Sequence, residues 1–136
     1  MKKILNSASD YVDEMLSGLV LAHPEYYAQP VPRVIVRAGG ARSGKVGIGP
    51  GVGPGHWPVF TGYVGAGLLD GCAIGDVFAS PSSEQMAETI RQVNGGAGVL
   101  CLYGNYGGDV MNFDMACEMV DLEDSIRTAT VLLTDD

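Results

Sequence analysis

Apolar residues recur at helical spacing near the start of the chain. Val12, Met15, Leu16, Leu19 and Val20 share one face, and Ser9 or Asp10 stands where a helix cap belongs. The helix is predicted to fail at His23-Pro24, because the residue before a proline avoids helical backbone angles. Glu25 to Arg33, with Pro30 and Pro32, reads as an extended connector. The period then shortens. Val34-Ile35-Val36 is β-branched and reads as a strand, Lys45 to Ile48 as a weaker one, and Ala73 to Ala79 as a third ending at Ser80-Pro81. Ser82 and Gln85 have capping-box spacing ahead of Met86, Ile90 and Val93, a helical face closed by Gly95-Gly96. Gly98 to Tyr103 is a continuous apolar run, as expected of a strand covered on both faces. Met111, Met115 and Met119, with Ala116 and Val120, predict a further helix whose methionine stripe reads as core packing, and Ala129 to Leu133 a last strand. Strands alternating with amphipathic helices predict a single α/β domain over residues 1–136, a mostly parallel β-sheet flanked by helices. In an α/β chain further units normally follow such a strand, so the domain reads as part of a larger architecture.

Composition narrows the function classes. Among 136 residues, 46% are apolar and 18% charged, a balance that supports a packed core rather than disorder. A net charge of −8 repels phosphate backbones and argues against nucleic-acid binding. No apolar run is long enough to span a bilayer, and polar Asn6-Ser7 with acidic Asp10, Asp13 and Glu14 stand where a secretory leader would be apolar. Cys72, Cys101 and Cys117 are odd in number and lie in apolar surroundings, which fits reduced thiols and a cytoplasmic location. Twenty glycines are about twice the usual share of roughly 7%. Many of them mark turns.

Ligands of parallel sheets bind beyond the carboxyl ends of the strands. Three polar or glycine-rich segments fall there: Gly49 to Pro58, Ser80-Pro81, and Gly104 to Asp109. The expectation is that they converge on one pocket. Gly49 to Gly55 does not satisfy the dinucleotide fingerprint, yet a glycine loop still presents N–H groups to an anion or a sugar oxygen. His56 at its mouth reads equally as a proton-shuttling group or as a structural histidine, while His23 reads as a solvated residue at a helix end. On local grounds Asp109 reads first as a helix N-cap and second as a general base, and Asn112 is placed to point back toward the pocket. Gly39 to Val46 approaches a P-loop, but Val46 replaces the magnesium-binding hydroxyl and no helix can follow, so an ordinary loop is expected. Metal binding has no support from histidine or cysteine spacing, and no nucleophile elbow is present.

Several segments in order resemble the amino-terminal half of the dihydroxyacetone kinase substrate-binding domain. They are Met1 to Asn6, Gly51 to Pro58 against the family's G-G-G-S-G-H-E-P, Gly62 to Gly65, Gly75 to Pro81, Asn105 to Phe113, and Thr130 to Asp136. The resemblance implies a site for a short ketose, with Gly53 and His56 contacting it from the first loop and Ser80 from the second. It implies that Asp109 orients or deprotonates the attacking primary hydroxyl while His56 hydrogen-bonds the same substrate. The expected partners are a nucleotide-binding kinase domain or subunit and a second copy of the chain. The phosphoryl donor, ATP or a phosphotransferase-linked ADP subunit, is bound outside this chain, which should be inert alone. Val52, Pro54 and Trp57 depart from the family's Gly, Ser and Glu, and Gly104 from a common lysine. These changes imply a stiffer first loop and room for a larger ketose such as a tetrulose. The family's covalently anchoring second histidine has no counterpart here. A ketose-sensing regulatory paralogue without catalytic activity is the alternative.

Overall fold

The computed structural model describes residues 3–52 and 60–134. Helix α1 (Tyr11–Ala22) is followed by strands β1 (Tyr27–Val31), β2 (Val34–Arg37) and β3 (Gly47–Val52). After a 3-10 turn at Thr61–Tyr63 come β4 (Gly71–Ile74), α2 (Ser83–Val93), β5 (Val99–Gly104), α3 (Gly107–Asp124) and β6 (Thr128–Leu133). The six strands form one sheet in the order β1-β2-β4-β3-β5-β6. The β4-β3-β5-β6 portion is parallel, and the β1-β2 hairpin adds to it antiparallel. The α/β class and the parallel centre are as the alternation predicts.

Period-two alternation splits the core between two faces. Val34, Val36 and Ala73 join Met86, Ile90 and Val93 of α2 and Phe113, Ala116 and Val120 of α3 in one cluster. Ile35, Cys72 and Ile74 point the other way, toward Val12 and Leu16 of α1. On the first face Tyr103 stacks on Phe113 with centroids 4.1 Å apart, an aromatic pair worth about 1 kcal/mol beyond its burial. Arg91 ties the two helices of that layer by bonding Asp124 and Glu123, each at 2.7 Å. The Ser82–Gln85 capping box forms in full, and α1 ends before Pro24 as predicted. Neither Ser9 nor Asp10 caps α1 through its side chain, however; Ser9 Oγ instead donates to Asp10 Oδ1.

Four segments differ from the sequence reading. Glu25 to Arg33 is not a bare connector, because Tyr27–Val31 pairs with β2. Prolines survive there since β1 is an edge strand whose register shifts between Ala28 and Val31. Arg33 closes the hairpin at φ 63°, and its guanidinium bonds Asp13, holding that carboxyl below its ordinary range. Strand β4 stops at Ile74, where Asp76 to Ala79 turns back on itself through the Ala79 N–H to Asp76 carbonyl bond. Strand β3 runs on through the glycines to Val52. A Cβ at Gly47 would lie 2.2 Å from the Val93 carbonyl oxygen, so the missing side chain is what lets the end of α2 rest on β3. Finally, Met111 and Met115 are exposed and only Met119 packs against the core. The buried face of α3 runs through Phe113, Ala116 and Val120, one position off the methionine stripe.

Candidate functional site

Strand β3 lies between β4 and β5 and runs parallel to both, pairing Val52 with Ile74 and Pro50 with Leu102. The carboxyl ends of these three strands therefore open on the same edge of the sheet. Two of the three predicted segments meet there. A Cβ at Gly108 would lie 2.8 Å from Ser80 Oγ, so the chain after β4 sits directly against the first turn of α3. Asn112 Nδ2 donates to the Pro81 carbonyl at 2.8 Å and pins the two segments together. Asn112, expected to point toward a pocket, is instead bonded to this backbone carbonyl. Of the first predicted segment only Gly49 to Val52, the end of β3, is described. Its residues Gly53 and His56 lie outside the described residues.

Asp109 is 2% exposed and occupies the third position of α3. It is not the N-cap expected from local sequence, because the helix starts two residues earlier and Tyr106 takes that place. A carboxylate in a first helical turn meets the positive end of the helix dipole and the unbonded N–H groups there. Ser80, half-buried, brings a hydroxyl to the same corner. A carboxylate and a hydroxyl on a rigid helix end and its neighbouring turn can bind a polyol and accept a proton from it. His23, by contrast, caps α1 at its carboxyl end, with Nδ1 3.7 Å from Glu25, far along the chain from any of these segments.

Residues 17–136 match the Dak1 domain. The chain belongs to the Dak1 domain family. It is 40% identical over its full length to the dihydroxyacetone-binding subunit DhaK of the PEP-dependent dihydroxyacetone kinase of Escherichia coli K12, spanning 38% of that subunit. It is 41% identical, again over its full length, to the D-erythrulose kinase of Mycolicibacterium smegmatis, of which it spans 23%. The fold superposes on the dihydroxyacetone kinase of C. freundii, solved with AMP-PNP and magnesium, with a TM-score of 0.88 and 30% identity. That overlap covers 99% of this chain and 26% of the other. The chain thus spans well under half the length of these relatives.

Within this Dak1 chain the room expected beside Gly104 is already occupied. A Cβ there would lie 2.9 Å from Cδ2 of the Tyr106 ring, which fills the space a longer side chain would need. The near-P-loop segment leads into β3 rather than a helix, and Lys45 is committed to an ion pair with Asp70. Among the described residues no group of histidine, cysteine and carboxylate side chains could hold a metal ion. No described helix is long and apolar enough to cross a membrane. The three cysteines are free. Burial pushes the Cys72 thiol up, while the hydrogen bond from Cys101, aided by Thr128 and Thr130, holds half-buried Cys117 below the ordinary thiol range.

Proposed function

We propose that the chain is the ketose-binding part of a dihydroxyacetone-type kinase, which phosphorylates a primary hydroxyl of dihydroxyacetone or a related short ketose. The observation that carries this reading is the packing of Ser80 against Gly108 in the first turn of α3, which brings the Ser80 turn and the helix end that holds buried Asp109 together at the carboxyl ends of the parallel strands. Ser80 hydrogen-bonds the ketose. Asp109 orients the attacking hydroxyl and takes its proton as the bond to phosphorus forms. Phosphoryl transfer asks the protein mainly for positioning and charge stabilisation, so one well-placed carboxylate is adequate on this side of the reaction. The reading also has Gly53 and His56 hold the same substrate, His56 by hydrogen bonding. The donor, ATP or an ADP-bearing subunit charged by a phosphotransferase, binds to a separate domain or subunit. A D-erythrulose kinase among the relatives supports four-carbon ketoses within the substrate class.

Free thiols fit a reducing cytoplasm. The reading also has copies of the chain associate. Grafting residues 1–136 in place of the matching segment of the E. coli subunit is expected to give a kinase active on dihydroxyacetone or erythrulose. The 136-residue chain with ATP is expected to give no product. Steady turnover by the chain alone, or a folded chimera that binds neither ketose, would count against the proposal.

A further inference from the structure

A cavity lined by charged side chains lies at the opposite end of the sheet from Ser80 and Asp109, about 170 Å³ in volume. Arg37 ends the antiparallel strand β2, Lys45 precedes β3 and Asp70 precedes β4, so all three gather at the amino ends of the parallel strands. Arg42 and the 65–68 turn complete the lining. Three cationic side chains face the single carboxylate of Asp70, in a chain whose net charge is −8. That carboxylate is nearly used up. Its Oδ2 accepts from Lys45 Nζ and from the Ile48 N–H at 2.9 Å.

Arg37 is 8% exposed, and its Nε lies 3.2 Å from Asp70 Oδ1 without the alignment of a hydrogen bond. The buried Nε is thus held in an ion pair with Asp70, which leaves the terminal guanidinium N–H groups of Arg37 to the cavity it lines. We propose that the cavity binds a phosphate-type oxyanion, which accepts hydrogen bonds from the Arg37 fork and is neutralised by Arg37 and Arg42. Planar guanidinium donors match phosphate oxygens in pairs. Pockets for drug-sized ligands run from roughly 300 Å³ upward, so this one admits phosphate or a small phosphomonoester but not a nucleotide. The Gly39 to Val46 segment that approaches a P-loop in sequence supplies two of the wall's side chains, Arg42 and Lys45, without making a nucleotide site.

Inorganic phosphate titrated into the 136-residue chain, followed by the Arg37 Nε–H resonance and the amides of residues 65–68, tests the proposal. Saturable shifts at these positions are expected, and Arg42→Ala should weaken binding about fivefold with the melting temperature unchanged. Arg42 makes no ion pair with Asp70, so this variant separates ligand binding from the folding role of the Asp70 network. A parallel titration with a phosphorylated three-carbon ketose distinguishes the free ion from phosphate carried on a sugar, and tighter binding of either supports the site. Absence of saturable shifts, equal shifts from acetate at matched ionic strength, or unchanged affinity in Arg42→Ala would overturn it.

Discussion

In the grafted kinase, Asp109→Asn is expected to lower kcat by at least about 100-fold while leaving ketose affinity within about threefold of the parent. Asparagine keeps the size and the hydrogen-bonding edge of the side chain, so the first turn of α3 and its approach to Ser80 should survive. What it loses is the ability to take a proton and the negative charge facing the attacking hydroxyl. The split between kcat and binding is the informative feature. A purely structural Asp109, buried at 2% exposure, would instead show its loss as a lower melting temperature and weaker binding together. Activity within about threefold of the parent would remove the carboxylate from the mechanism.

Gly47→Ala is expected to destabilise the chain by about 3 kcal/mol, seen as a fall in melting temperature on the order of 10 °C. The added methyl would collide with the Val93 carbonyl oxygen, and backbone at the end of a helix cannot swing aside as a flexible side chain can. Either α2 lifts from the sheet or β3 bends, and both disturb the cluster around Met86, Ile90 and Val93. Gly107→Ala serves as the control, since a Cβ there meets nothing within 4 Å. Its stability should not fall. Equal melting temperatures for the two variants would show that α2 is not seated on β3 as closely as described.

Legibility of the fold from sequence followed the strength of the local signal. The Ser82–Gln85 box, the β-branched Val34 to Val36 run and the apolar Val99 to Tyr103 run each predict a distinct element, and each forms. Where local chemistry and tertiary packing oppose each other, packing prevails. Pro30 looks like a breaker but stands on an edge strand, and the glycines of β3 look like loop but make the close contact that seats α2. The methionine stripe of α3 misled because spacing alone does not say which of two neighbouring faces meets the sheet; Phe113 stacking on Tyr103 decides it. At the site, Ser80 and Asp109 were legible as polar residues at strand ends. The meeting of their two segments was legible too, from the rule that loops at the carboxyl ends of parallel strands converge; what was not is the glycine at 108 whose missing side chain admits the Ser80 hydroxyl. The Arg37–Asp70 cavity was not legible, since its charges come from two connections, one after β2 and one before β4, that only the fold brings together.

The central claim is that a short ketose binds where the turn after β4 meets the start of α3. The most direct measurement is an amide NMR titration of the 136-residue chain with dihydroxyacetone and erythrulose, carried to about 50 mM to capture millimolar binding. The account predicts saturable shifts at Ser80, Gly108 and Asp109, with none at the Arg37–Asp70 end of the sheet. Shifts confined to other surfaces, or no saturable change with either ketose, would contradict it.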